Sequence, residues 1–507
     1  MKKLIICACA LISVSCTQKV LVSGSYELCP EPRSVELSEG SLVFRPGKVS
    51  EKLDTTLGEG LEPFQKEECY SIEVGKRGVV LSAASQTGLL RARQTLEKAL
   101  PPRLGKGEVA TLPYARVFDY PEFAYRAFML DCSRHFFPVE TVKEVIDIMA
   151  LHQLNYFHWH LTEDQGWRIE ISKYPRLTEV GSIRAGDPVP GKEGHDEVQR
   201  GGFYTKDDVR EIVAYAASKG IEVIPEIDLP GHMLAALASY PELGCTGGPY
   251  EVACQWGVLD DVLCAGKEGT LQFVKDVLEE VMDLYPSKYI HIGGDECPKV
   301  RWEKCPDCQA KIRALGLKAD GHKTREELLQ SWFMDQVSAF IEAHGRRCIA
   351  WNDPLVDWSN DVVGAPSKNT VIAGWMRPVS SEIAVKEGYD AVICPCGHLY
   401  LSAWEGNILK GEAYLRRVFD LNVHPETLSA EEQERVLGVE ACLWTERVSE
   451  RDSLLWRMLP RMSAVSELQW SDPGRRDFEA FLPRLSRMQD IYSERGWTWS
   501  TAAELPE

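Results

Sequence analysis

The run YIHIGGDE, residues 289–296, is apolar and β-branched until two glycines, and it stops on two adjacent carboxylates, Asp295 and Glu296. Carboxyl groups at the end of a buried strand are suited to proton transfer on a sugar. Glycosidic bonds are usually cut between two carboxyl groups about 5 Å apart for retention, or about 6.5–9.5 Å apart for inversion. Sequence neighbours cannot straddle a sugar ring, because successive side chains leave a strand in opposite directions. Asp295 and Glu296 are therefore expected to divide the work. One would protonate the leaving oxygen, and the other would orient a group on the substrate.

Seven further apolar runs end on chemically capable residues. They are FMLDCSR (128–134), NYFHWHLTED (155–164), IEVIPEID (221–228), RCIAWND (347–353), TVIAGW (370–375), DAVICP (390–395) and VLGVEACLW (436–444). Their ends bring Asp131 with Arg134, His160 with Glu163 and Asp164, and Asp228 with His232. Then come Trp351 with Asp353, Trp375, Tyr400 after the seventh run, and Trp444 with Glu446. The collected set is acidic and aromatic, with one arginine and several histidines. It contains no phosphate-cradling Gly loop and no Ser or Cys in a triad-like setting. Indole faces suit the apolar faces of sugars, and carboxylates supply the protons.

Elements that could gather these ends follow from the spacing. Eight short buried strands alternating with helices predict an α/β fold, a (β/α)8 TIM barrel, whose chemistry lies at the C-terminal ends of its strands. Thr205 with Asp208 and Gly220, and Thr324 with Glu327 and Gly345, mark the starts and stops of two of its helices. Before the barrel, CYSIEVGKRGVVLSAAS (69–85) reads as a hairpin. Leu89, Leu90, Ala92, Leu96 and Leu100 then share one helical face, ended by Pro101 and Pro102. The expected division is a signal peptide over 1–16, a small N-terminal α/β domain over 17–119, the catalytic barrel over 120–475, and a C-terminal helical extension packed on the barrel over 476–507.

Five motifs carry a family resemblance: DCSRHFFP (131–138), FHWHLTEDQGWRIEI (157–171), PEIDLPGH (225–232), HIGGDE (291–296) and CLWTE (442–446). Together they resemble the β-N-acetylhexosaminidases of glycoside hydrolase family 20, and the resemblance extends to the small N-terminal domain. It implies a retaining reaction in which the substrate's 2-acetamido oxygen is the nucleophile, a recognised exception to the two-carboxylate scheme. It implies Glu296 as general acid/base, with burial and the Asp295 charge raising its pKa, and Asp295 as the residue that holds the acetamido N–H. His232 would buttress the acid, itself oriented by an acidic residue from the second strand. Here the chain departs from the family, since Glu163 stands where an Asp-Asp pair begins and Asp164 follows. The extra methylene leaves open which of the two meets His232. Arg134 would bind the 3- and 4-hydroxyls, and Glu446 outer hydroxyls. Trp351, Trp375 and Trp444 would enclose the acetamido methyl, and Tyr400 would bond its oxygen. Ser402 stands where Asp or Asn is frequent, which leaves the choice between N-acetylglucosamine and N-acetylgalactosamine open. His160 reads equally as a neighbour in this network or as a satisfied core histidine.

The resemblance implies no cofactor and no catalytic metal, and its partner is a glycan ending in N-acetylhexosamine. Alternatives are a disaccharide-releasing relative such as a lacto-N-biosidase, a non-catalytic surface glycan-binding lipoprotein, and a metal-dependent hydrolase using His158 and His160. With 57 basic against 76 acidic residues and a net charge of −19, nucleic acid is an unsuitable partner. Lys2, Lys3 and an apolar run to Val14 read as an export signal, too short to span a bilayer. Cys16 after the small Ser15 suggests lipidation and a membrane anchor facing the periplasm or the exterior, although Ser13 replaces the aliphatic residue such a site prefers. Of the remaining cysteines, Cys297, Cys305 and Cys308 cluster in sequence. With no fourth metal ligand beside them, a local disulfide or free thiols are expected rather than zinc.

Overall fold

Hydrophobic runs separated by amphipathic segments close here into a single parallel barrel. The structure is a computed structural model describing residues 20–189, 194–321, 323–402 and 412–500. Cys16 and the segment after Ser402 lie outside the described residues. The barrel strands are β1 (Tyr125–Asp131), β2 (Tyr156–His160), β3 (Glu222–Glu226), β4 (Tyr289–His291), β5 (Arg347–Trp351), β6 (Val371–Gly374), β7 (Ala391–Ile393) and β8 (Val436–Leu443). Each pairs in parallel with its neighbours in chain order, and β8 closes on β1. All eight apolar runs of the sequence overlap a barrel strand, so the (β/α)8 expectation holds.

Alternation along the strands sorts the side chains. In β5, Cys348 and Ala350 face the surrounding helices, whereas Ile349 and Trp351 face the barrel interior. In β1, Tyr125, Ala127 and Met129 point inward. Tyr125, Tyr156 and Tyr289 pack together at the start of their strands, with centroids 4.8–6.2 Å apart, and plug the N-terminal end. The interior is thus a filled core, and any cavity must open at the other end.

Local sequence fixes the helices that hold the strands. Thr205 accepts from the Asp208 N–H and Asp208 answers at the Thr205 N–H, starting the helix Lys206–Ser218. The same reciprocal cap, Thr324 with Glu327, starts Arg325–Ala343. The helix Phe478–Glu494 lies against the barrel, with Phe481, Leu485, Met488 and Tyr492 in the main core.

The N-terminal domain is a six-stranded sheet covered by the helix Gln86–Ala99. The hairpin Tyr70–Gly75 with Gly78–Ala83 forms where the sequence placed it. A buried ion triad fastens this domain to the barrel. Glu68 meets Arg91 at 2.8 Å and Arg126, on β1, at 2.5 Å. Arg91 also donates to the backbone oxygens of Leu154 and Gly220. Removing the carboxylate would strand two fully buried guanidinium groups. Glu68→Gln is expected to lose about 3–5 kcal/mol of stability, read as a lower midpoint in urea unfolding.

Candidate active site

The strand ends converge on a cavity of about 670 Å³ at the C-terminal face of the barrel. Arg134, Asp295, Glu296, Trp375, Tyr400, Ser402, Trp444 and Glu446 all line it. Trp256, Val258, Trp358 and Arg457 complete its wall. A smaller hollow of about 350 Å³ shares Val258, Glu296 and Trp358 with it, so Glu296 stands between the two spaces.

The turn that carries the acids is built by its glycines. Gly293 and Gly294 both have positive φ, 62° and 103°. A Cβ on Gly293 would fall 1.6 Å from Asp228 Oδ1, so only glycine fits there. Gly294 N–H donates to that carboxylate at 3.2 Å, and its oxygen accepts from Gln330 at 2.8 Å. The chain then turns through Glu296, which has φ +44°, a conformation that costs a side-chain-bearing residue. Asp353 holds it there by accepting the Glu296 N–H at 3.0 Å, and its other oxygen accepts the Trp375 indole N–H at 2.7 Å. The two acids of the pair consequently lie in different surroundings. Asp295 is buried, whereas the Glu296 side chain is 36 % exposed. The burial expected at Glu296 falls on Asp295 instead.

Electrostatics follow that placement. Burial pushes Asp295 up to about 8; His232 opposes the rise, and the charges of Asp353 and Glu296 add to it. Burial likewise lifts Asp353 to about 6, against hydrogen bonds from the Glu296 N–H and the Trp375 indole. Asp228 is driven well above the carboxylate range by burial and by the Asp295 charge. Like charges this close do not all ionise, so the group retains a proton near neutrality.

Behind the acids stands the Glu163 carboxylate. One oxygen lies 2.6 Å from Arg134 and 3.3 Å from His160 Nε2. The other lies 2.9 Å from His232 Nδ1. Asp164 Oδ2 is 3.5 Å from the same nitrogen, so Glu163 is the nearer partner of His232, while Asp164 also accepts the Leu234 N–H. The far nitrogen of His232 lies 3.6 Å from Glu296 and 3.8 Å from Asp295. Burial alone would lower the His232 pKa, but Glu163 and Asp164 raise it well above its usual range. Against its own burial, Glu163 is held well below its usual value by Arg134 and His232.

Beneath this layer a polar core fills the barrel. Glu226 receives the Trp351 indole N–H at 2.8 Å and faces His158 at 3.0 Å, His291 at 2.9 Å, and His160. His158 continues to Glu440, which accepts from the Tyr125 hydroxyl at 2.6 Å. His160 is thus a network residue, fully buried between Glu226 and Glu163, and it does not reach the cavity wall as a substrate-binding group would. Trp351 is also buried under the wall, 5.9 Å from the Trp444 ring. The wall itself is aromatic. Trp375 and Tyr400 lie parallel at 6.1 Å, Trp444 follows at 6.0 Å from Tyr400, and the Arg134 guanidinium sits 4.9 Å over Trp444. The buried polar atoms without a hydrogen-bond partner among the described residues include Asp295 Oδ1 and Trp444 Nε1.

Several contributors were not singled out from sequence. Asp353 is visible there as a strand-end acid, but its hold on Glu296 is not. Trp256 and Val258 come from a long loop whose return to the barrel has no local sequence mark. Glu226 lies inside a strand, where only the inward register reveals it.

A filled barrel whose open end carries retained-proton carboxylates and stacked indoles is the build of a barrel glycosidase. The chain belongs to glycosyl hydrolase family 20, whose catalytic-domain model matches residues 123–473. It is 42% identical over 431 residues to a β-hexosaminidase of Porphyromonas gingivalis, covering 83% of this chain and 53% of that one. It is 30% identical over 492 residues to a β-hexosaminidase of Akkermansia muciniphila, covering 93% and 92%. Against the Porphyromonas protein and a Vibrio furnissii β-hexosaminidase, the chain spans only 53% and 65% of their lengths. Among solved structures, the exo-β-N-acetylglucosaminidase of Vibrio harveyi in complex with N-acetylglucosamine superposes with a TM-score of 0.81 at 28% identity, covering 96% of this chain and 79% of that one.

The raised Asp295 pKa fixes a sign for stability. Its folded value, about 8, lies above the ordinary 3.8. Its contribution is therefore fully present below about pH 4 and is lost as pH rises through 8. Asp295→Asn is expected to raise stability at pH 7–8 by about 1–2 kcal/mol and to flatten this part of the pH profile. Thermal unfolding of both proteins from pH 4 to 8 checks it.

Proposed function

We propose that the chain is a retaining exo-β-N-acetylhexosaminidase that removes terminal β-linked N-acetylglucosamine or N-acetylgalactosamine from glycans by substrate-assisted catalysis. The observation that carries the reading is the unpartnered, buried Asp295 Oδ1 beside the indole wall. An acetamido N–H would satisfy it, with the methyl enclosed by Trp375, Tyr400 and Trp444. Packing there presses the acetamido oxygen towards C1 and excludes water.

Positive charge developing on the oxazolinium ring is met by the Asp295 carboxylate, and the leaving oxygen takes its proton from Glu296. Glu296 sits between the two hollows, where it can pass that proton to the leaving oxygen of a group in the smaller space. His232, charged and held by Glu163, steadies the Glu296 carboxylate once the proton is gone. Water then attacks C1 with Glu296 as base, returning the acetamido group and retaining the β configuration. Arg134 and Glu446 face the sugar's outer hydroxyls, and Ser402 offers a small neutral group where the choice between the two epimers is made. The chemistry needs no cofactor. An exported, lipid-anchored placement through Cys16 belongs to the same proposal and rests on residues 1–16 alone.

Paired aryl β-glycosides test the reading. Wild type is expected to cleave the N-acetylglucosaminide and the N-acetylgalactosaminide but not the plain glucoside. Glu296→Gln is expected to lose about 10²–10⁴-fold in kcat. Cleavage of the plain glucoside would remove the role given to the acetamido group. Failure on all three would favour the disaccharide-releasing or binding-only alternatives.

A further inference from the structure

Four cysteines from three separate stretches of the sequence meet in space. Cys245 and Cys308 are 63 positions apart, yet their sulfurs are 3.9 Å apart. Cys264 Sγ lies 3.6 Å from Cys305 and 3.5 Å from Cys308. All four sulfurs fall within 4.8 Å of one another, and three of the residues are buried. With a Zn–S bond of about 2.3 Å, the edge of a tetrahedral tetrathiolate is about 3.8 Å. Cys297, the third member of the sequence cluster, is not part of the group. It lines the hollow beside Glu296 instead.

The surroundings suit an anionic metal centre. Cys305 and Cys308 form a Cys-x-x-Cys at the start of the helix Pro306–Leu315, whose N-terminal end favours negative charge. Gly266 comes so close that a Cβ there would lie 2.2–2.3 Å from the Asp307–Cys308 backbone. Its N–H also bonds to the Cys264 sulfur. Lys267 ties the backbone beside Cys245, donating to the Glu242 and Gly244 oxygens at 2.9 and 2.7 Å.

We infer that Cys245, Cys264, Cys305 and Cys308 bind one structural Zn²⁺ as a tetrahedral tetrathiolate that fixes a wall of the substrate cavity. Binding converts four thiols to thiolates and releases four protons, with no change of oxidation state. Its effect on the cavity follows from the connectivity. Cys245 and Cys264 are the two feet of the loop that carries Trp256 and Val258 to the cavity wall. The Cys305–Cys308 pair follows Glu296 on the chain. The metal would therefore tie that loop to the segment beside the acid. The inference replaces the disulfide or free thiols expected from sequence, and it does not depend on the reaction assigned above.

The full chain, purified without chelator, is the test. About one zinc per chain by elemental analysis is expected. Mass spectrometry after denaturing alkylation should find all four cysteines reduced, and they should be alkylated in the folded protein only after chelation. Cobalt exchanged for zinc should show the intense visible bands of a tetrahedral thiolate. Cys308→Ser is expected to lose the metal, and to raise KM more than it lowers kcat if the proposed activity holds. Cys254→Ser, in the same loop but outside the cluster, should keep the metal. If Cys308→Ser does not fold, Cys245→His should still bind, with a shifted cobalt spectrum. Two disulfides among the four residues, a metal-free wild type, or zinc retained in folded Cys308→Ser would each overturn the inference.

Discussion

The Glu163 carboxylate is the interaction on which the site's geometry depends. Its oxygens bind groups from three successive β–loop segments: Arg134 after β1, His160 on β2, and His232 after β3. A carboxylate so deeply buried persists because every direction it faces holds a cation or an N–H. Through Arg134 it fixes one side of the cavity, and through His232 it reaches the paired acids. Its side chain comes within 2.9 Å of His232 Nδ1, nearer than Asp164 at 3.5 Å. Its ties to Arg134 and His160 come from the same carboxylate group.

That anchor serves a backbone arrangement that would otherwise relax. Asp295 and Glu296 take on separate environments because Gly293 and Gly294 let the chain wrap Asp228, and because Asp353 holds the left-handed Glu296. The resulting crowd of carboxyl groups is unfavourable as structure and useful as chemistry. It stores a proton that isolated, solvated acids would have given up at neutral pH. The Glu226 core beneath makes the floor stiff, tying Trp351 and three histidines to one carboxylate.

The fold was legible because barrel strands buried on both faces read as short apolar runs, and because the Thr205 and Thr324 caps are local. The wall and acid residues were legible because a barrel concentrates chemistry at strand ends. Other features depend on distance through space. The burial of Asp295 rather than Glu296 comes from a turn whose two glycines are plain in the sequence but whose left-handed Glu296 is not. The place of His160 depends on β2 facing β3. The four-cysteine group joins the two feet of one loop to a helix start, so only half of it, Cys305 and Cys308, stands close together in the sequence.

His232 and Glu296 are both side-chain-bearing residues in left-handed backbone, with φ of 53° and 44°. At the partly exposed Glu296, glycine would relieve the strain while deleting the proposed acid, whereas at His232 it would also strip the buried Glu163 of a partner. Laboratory evolution selecting only for survival of heat would therefore accept glycine at Glu296. A library of this barrel is therefore best screened for turnover in the same round as for heat tolerance.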